Sequence, residues 1–572
     1  MIWKFLKKHW MRYALGMLFL VSIDYLQILV PKFIGKTVNL LTVSPINTHL
    51  IFVYAMSILA IAGGVMIGRF SWRLLIIGGA RKFEMFAHQE LFDKFLRLPI
   101  SFFEKKGVGD LMAYFSNDIM AIRASLSQGV VMTTDSVAMT IFVFLGMLTS
   151  VSYKLVLISL IPLPFVALAS WFFGGRIHSR FKKVQKSFSN ISERAQESFT
   201  NVKTIKAYGV EKNFEKIFSN ECGGFVRNNV SLLKISALFD PLIDFLAAVT
   251  SAIALFYGGR MVINGSVSLG DFVAFIAYLG MLVWPFIALG YVVNVLQRGR
   301  ASLERLNDLM KEKEKENGEK SFPDPFEDVK VKGLSFSYDG GRKVLDDVNF
   351  EIKSGQKVAI VGRTGCGKST LAKLLVKLYP VERGRIFYNG VDIVDLNTKS
   401  LREKILLVPQ DAFLFSSTIS NNIAFGFEDF SMQDVESASK VAHFHEEVVK
   451  FDKSYDTLVG ERGVTLSGGQ RQRLTLSRGI FKGAEVIILD DVLSAVDSET
   501  ASKILADLST SLKGSTVVVI THNLASVKNS DVIFVMDEGH MVESGRHDDL
   551  IRKKGLYYKL FMIQQLEHEI GA

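Results

Sequence analysis

Six stretches of the chain are apolar at nearly every position, and each approaches the roughly 20 residues that a helix needs to cross a bilayer. They lie near Tyr13–Val30, Leu50–Gly68, Gly129–Val151, Leu155–Gly174, Leu238–Tyr257 and Phe272–Leu296. The pattern predicts six membrane spans and argues against buried helices of a water-soluble protein. Short loops around Thr42–His49, Ser152–Lys154 and Gly258–Gly270 join the spans in pairs. Long polar stretches of about 60 residues separate the second span from the third and the fourth from the fifth. Apolar residues return there at helical spacing, as Leu91, Phe95 and Leu98, and as Phe188, Ile191, Ala195 and Phe199. We therefore expect membrane helices that continue beyond the bilayer and reverse at two tips, near residues 99–109 and 205–212.

After residue 310 the pattern changes. Lys311–Lys320 is a charged, glycine-containing run, and residues 311–326 read as a linker. From residue 327 to 572 short β-branched runs alternate with helical patterns. Val486–Leu489 and Thr516–Ile520 have the composition of buried parallel strands. The expected fold is an α-helical six-span membrane domain (residues 1–310) with long cytoplasmic helices, fused to an α/β nucleotide-binding domain.

Charge decides the orientation. The net charge is +10, and mean hydropathy is +0.26, with the apolar excess concentrated before residue 300. A basic balance can signal nucleic acid. Here the basic residues flank apolar runs, so membrane lipid is the expected partner and nucleic acid is not. The long stretches carry Arg81, Lys82, Lys94, Arg97, Lys105 and Lys106, then Arg176, Arg180, Lys182, Lys183, Lys186, Lys203 and Lys206. The first short loop has no Lys or Arg, and the other two offer only Lys154 and Arg260. By the positive-inside rule both termini and both long stretches are cytoplasmic. The expectation is a multi-pass protein of the cell inner (plasma) membrane. Met1–Arg12, with Lys4, Lys7, Lys8 and Arg12 among Trp3, Phe5, Leu6 and Trp10, reads as an interfacial helix leading into the first span. The two cysteines, Cys222 and Cys366, exclude a disulfide framework.

The chemistry is concentrated after residue 330. Gly362-Arg363-Thr364-Gly365-Cys366-Gly367-Lys368-Ser369, followed by Thr370, fits the nucleotide phosphate loop G-x-x-x-x-G-K-[ST]. An apolar run precedes it, and Leu371, Leu374, Leu375 and Leu378 follow at helical spacing. Its backbone N–H groups and the helix start suit phosphate. Lys368 is expected on the β- and γ-phosphates and Ser369 on Mg²⁺. Asp490 ends an apolar strand and suits a Mg²⁺ ligand. Leu466-Ser467-Gly468-Gly469-Gln470 is a second glycine-rich cradle at a helix start. Gln410 suits Mg²⁺ or an attacking water, His522 the γ-phosphate, and Tyr338 an adenine ring.

These motifs, in this order, resemble the ATP-binding cassette family, and Leu466–Leu474 (LSGGQRQRL) resembles its signature. Six spans and one cassette resemble an exporter half-transporter. The resemblance implies ATP and Mg²⁺ as ligands. It implies a dimer in which each ATP lies between one chain's phosphate loop and the other chain's signature. It carries Ser494–Asp497 onto the family's D-loop, with Asp497 near nucleotide. It carries Gly460–Gly463 onto a segment facing the coupling regions, and the two tips onto those regions themselves. One position departs. Where a competent cassette has glutamate, this chain has Asp491. One missing methylene withdraws the carboxylate by about 1.5 Å. The intact signature with a short acid resembles one subunit of the heterodimeric bacterial multidrug exporters, whose partner subunit supplies the glutamate. The alternatives are a homodimeric lipid or peptide exporter and a non-transporting membrane nucleotide sensor. Asp24, Asp135, Asp240 and Asp244, in or near spans with no evident basic partner, suggest a hydrophobic or cationic amphiphilic substrate.

Overall fold

In the computed structural model the apolar runs become helices much longer than a bilayer requires. The structure describes residues 1–42, 46–151, 153–460, 463, 465–494, 496, 498–511 and 514–570. The chain divides into two units, one of Met1–Arg97 with Lys106–Lys313, the other of Leu98–Lys105 with Glu314–Ala572.

The first unit is helical. Its helices are α1 (Ile2–Leu41), α2 (Thr48–Arg97), α4 (Val108–Ser150), α5 (Tyr153–Leu160), α6 (Leu163–Thr200), α7 (Val202–Tyr208), α8 (Glu211–Ile263) and α9 (Leu269–Lys311). The short α3 (Ile100–Lys105) belongs to the second unit. At about 1.5 Å per residue α1 reaches about 60 Å, twice the hydrocarbon thickness. It runs unbroken from Ile2, so the basic N-terminal stretch continues directly into the helix of the first span. Five helices among the described residues are long and apolar enough to cross a membrane: α1, α2, α4, α8 and α9. The expected fourth span, Leu155–Gly174, is divided. Pro162 and Pro164 interrupt it, so α5 ends at Leu160 and α6 begins at Leu163. Proline lacks the N–H that a helix interior needs, yet suits a helix start.

Close backbone approach locks α1 to α9. A Cβ on Gly270 would collide with the carbonyl of Gly35. The freed space lets Asn39 Oδ1 accept from Gly270 N–H at 2.7 Å, while its Nδ2 donates to Ser268 Oγ at 2.9 Å. Along α6 and α8, Arg180 donates to Ser231 Oγ and Asn228 Nδ2 to Ser187 Oγ, so the two long polar helices run side by side. At the second tip α7 closes on Gly209, whose φ of +65° is the left-handed cap that glycine adopts without steric cost.

The second unit holds two sheets. A six-stranded sheet has the order β10-β9-β3-β8-β7-β6. Its strands are β3 (Lys357–Gly362), β6 (Ile405–Val408), β7 (Val486–Asp490), β8 (Thr516–Thr521), β9 (Val532–Asp537) and β10 (His540–Gly545). All neighbours are parallel except β9 and β10. β7 and β8 are buried at every position, which explains their unbroken apolar runs. A smaller antiparallel sheet orders β2 (Lys343–Lys353), β1 (Asp328–Ser337), β4 (Ile386–Tyr388) and β5 (Val391–Asp392). The segment after α9 is no free tether on its far side. Asn317 Oδ1 accepts from Thr398 N–H, Lys320 pairs its backbone with Asp395 and Asn397, and Phe322 and Phe326 are buried.

Candidate nucleotide site

Four strand ends converge on one cavity. β3, β6, β7 and β8 point their carboxyl ends the same way, the place where open α/β sheets bind ligands. A cavity of about 240 Å³ lies there, lined by residues of the phosphate loop and by Gln410, Asp490, Asp491 and His522. β3 ends at Gly362, and helix α10 (Lys368–Leu375) starts six residues on. Between them the backbone turns through positive φ at Gly365 (+83°) and Gly367 (+103°). A Cβ at Gly367 would come within 2.7 Å of Leu345 Cδ2 and 2.9 Å of Val344 O, so only glycine fits the curl. Lys368 Nζ donates to the carbonyls of Gly362 and Arg363, at 2.8 and 2.9 Å, which arches its side chain over the loop. Thr364, Gly365, Gly367, Lys368, Ser369 and Thr370 line the cavity. Cys366 lies behind, 6% exposed, and burial pushes its thiol above the usual range.

Two acid clusters divide the labour. Ser369 Oγ donates to Asp490 Oδ1 at 2.9 Å. Asp490 is only 4% exposed, and burial raises its carboxyl above the usual range although the serine bond opposes this. No group of three His, Cys, Asp or Glu side chains among the described residues could hold a metal alone. Ser369, Gln410 and Asp490, completed by ligand phosphate, match the oxygen-donor chemistry of Mg²⁺, which favours few carboxylates. The second cluster centres on Asp491. Its φ is +51°, and its N–H donates to Ile520 O at 2.8 Å. His522 Nδ1 approaches Asp491 Oδ1 at 3.0 Å, and Gln410 Nε2 donates to Oδ2 at 3.3 Å. Tyr338 reaches the site from the side, its hydroxyl 3.0 Å from Thr370 Oγ1.

The signature residues stand elsewhere. Ser467 caps helix α11 (Gly468–Lys482), accepting from Gln470 N–H while Gln470 Oε1 accepts from Ser467 N–H. Gln470 Nε2 also donates to Glu447. None of Ser467, Gly468, Gly469 and Gln470 lines the phosphate cavity. Gln472 Nε2 donates to Ser494 Oγ, tying α11 to the loop after Asp491. Asp497, Glu461 and Arg462 lie outside the described residues. Sequence reasoning missed Val344 and Ile520, which line the cavity. Neither carries a polar group that a motif would single out.

Of the membrane acids, Asp24 is buried, and its Oδ2 has no hydrogen-bond partner among the described residues. Asp244 is exposed on α8, and the Asp240 side chain lies outside the described set.

Residues 13–286 match the model of the ABC transporter transmembrane region, and residues 345–494 that of the ABC transporter nucleotide-binding region. This chain belongs to the ABC transporter family. It is 34% identical to the probable multidrug resistance ABC transporter ATP-binding/permease protein YheI of Bacillus subtilis, over 98% of this chain and 97% of that one. It is 34% identical to the multidrug resistance-like ATP-binding protein MdlA of Escherichia coli, over 99% and 96%. It is also 33% identical to an ATP-dependent lipid A-core flippase of Syntrophus aciditrophicus, over 84% and 80%. Its fold is that of a bacterial Atm1-family ABC exporter solved with ATP bound, with a TM-score of 0.80 over 97% of this chain and 99% of that one, at 24% identity. As an ABC transporter it couples ATP hydrolysis in the second unit to transport through the first.

Proposed function

We propose that this ABC transporter exports hydrophobic and cationic amphiphilic compounds as one half of a heterodimer, from a cell inner (plasma) membrane with both termini cytoplasmic. One observation carries the reading: the signature lies outside the phosphate cavity of its own chain, while Asp491, which lines that cavity, is one methylene shorter than glutamate. A complete site then needs a second chain's signature over this phosphate loop. This chain's Ser467 and Gly468 in turn complete the site of the partner. The relatives named for multidrug resistance support the substrate class.

In this scheme the loop N–H groups and Lys368 bind the triphosphate, and Tyr338 receives the adenine. Ser369, Gln410 and Asp490 would hold Mg²⁺, which would supply neutralisation of the phosphate charge. His522 and Gln410 orient Asp491 toward the place of an attacking water, where the short side chain makes a poor base. Turnover falls mainly to the partner's site.

The test is ATP-dependent uptake of a fluorescent cationic amphiphile into inverted vesicles. Chain and partner together should transport, and the chain alone should not. Equal transport by the chain alone would favour a second reading, a lipid exporter built from two copies, to which the flippase relative points.

A further inference from the structure

Tyr379 touches both the nucleotide side of the second unit and the segment that joins two membrane helices. Its hydroxyl donates to Glu104 Oε1 on α3. Its ring stands edge to face with Tyr338, at 5.1 Å between centroids and 84° between planes. Phe336 completes a triad, 5.0 Å from Tyr338 and 5.8 Å from Tyr379. The hydroxyl of Tyr338 in turn meets Thr370 on the phosphate helix. α3 is docked in the same unit, with Phe102 buried and Ile100 packed on the small-sheet core. By chain order α3 connects α2 to α4.

We propose that Tyr379 couples the binding of a nucleobase at Tyr338 to the docking of α3 through Glu104. The inference rests on Tyr338 as the adenine platform. Edge-to-face rings hold a preferred offset. A base stacked on Tyr338 fixes that ring, and Tyr379, 4% exposed, has little freedom to turn independently of it. Its hydroxyl carries the adjustment to a charged acceptor, the stronger kind of hydrogen bond. Linkage makes the effect reciprocal: the factor by which docked Glu104 strengthens base binding is the factor by which the base strengthens docking. The base, and not the phosphates, is therefore the part of the nucleotide that α3 senses. The ligand class is a purine nucleoside triphosphate read through its ring.

The experiment compares Mg-ATP with Mg-tripolyphosphate, which has the phosphates and no base, by titration calorimetry on the full chain. Tyr379→Phe keeps the ring triad and removes the hydroxyl, and Glu104→Ala removes the acceptor. Each should weaken ATP by about five-fold, and the double variant by no more than either alone, because both break one link. Glu104→Gln, which keeps a neutral acceptor, should recover part of the loss. Tripolyphosphate affinity should stay unchanged in all of them. Unchanged ATP affinity, additive losses, or equal weakening of tripolyphosphate would overturn the coupling. Tyr338→Ala separates the two ideas. If it weakens ATP alone while the Glu104 and Tyr379 variants are silent, the adenine platform stands and the coupling fails. If Tyr338→Ala leaves ATP unchanged, the platform itself fails, and the coupling with it.

Discussion

The asymmetry between Asp491 and the signature gives the sharpest prediction. Asp491→Asn is a clean perturbation. The backbone there has φ of +51°, a region in which asparagine and aspartate are both enriched, so the exchange brings no new strain. The amide keeps a carbonyl oxygen for Gln410 and loses only the charge facing His522. A base withdrawn by about one methylene is slower by about 10²-fold. In the working pair this site then supplies about 1% of turnover, and abolishing it should be almost invisible. Ser467→Ala instead removes a phosphate-facing donor from the partner's site, a loss of about 10²–10³-fold. The two variants should therefore differ by about two orders of magnitude in steady-state ATPase of the purified pair. Asp491→Glu lengthens the acid by one methylene, and at most doubles the rate if the partner's signature is intact. Glutamate tolerates a left-handed backbone less well than aspartate, which works against that gain. The lone chain should hydrolyse about 10²-fold more slowly than the pair. Asp491→Asn abolishing activity as fully as Ser467→Ala, or a lone chain as fast as the pair, would refute the reasoning and leave a homodimer with a working aspartate.

Other outcomes follow from the same geometry. Lys368→Ala removes the ammonium that spans the loop and should weaken labelled ATP binding to this chain by about 10-fold or more, since a charge-assisted phosphate contact is lost. Asp490→Asn should raise the thermal midpoint of the nucleotide-free chain while removing the extra stabilisation by Mg-ATP. The sign follows from burial: a carboxyl raised above its unfolded value favours the fold when protonated, and that contribution is lost as pH rises through the folded value. The wild type should accordingly lose midpoint relative to Asp490→Asn as pH rises from the ordinary carboxylate range through the raised folded value, read by differential scanning. Asp135→Asn should alter transport of a permanently cationic amphiphile more than that of a neutral one, because it removes an ionisable group from an apolar membrane helix. Equal effects on both compounds in vesicle uptake would leave Asp135 a packing role.

What the sequence revealed and what it hid have separate physical causes. That Thr364, Gly365, Gly367, Lys368, Ser369, Asp490 and His522 would gather at one cavity was legible because each belongs to a motif at the carboxyl end of a parallel strand. Val344 was hidden because it serves through shape: its carbonyl crowds Gly367, a role any residue could fill. The break in the fourth expected span was hidden from hydropathy, which averages side chains and does not register the backbone N–H groups that Pro162 and Pro164 lack. Tyr379 was hidden for a third reason. Its neighbour Glu104 is distant in sequence, so nothing local marks the pair. The same division explains why Asp491 matters beyond its own site. A shortened acid is visible in one chain, but its meaning lies in the signature that this chain holds away from its own phosphate cavity. Selection on one chain alone would let both halves of an idle site decay together. In the proposed heterodimer, a sound Ser467–Gln470 in a chain with a shortened acid follows from a signature kept for a glutamate on another chain.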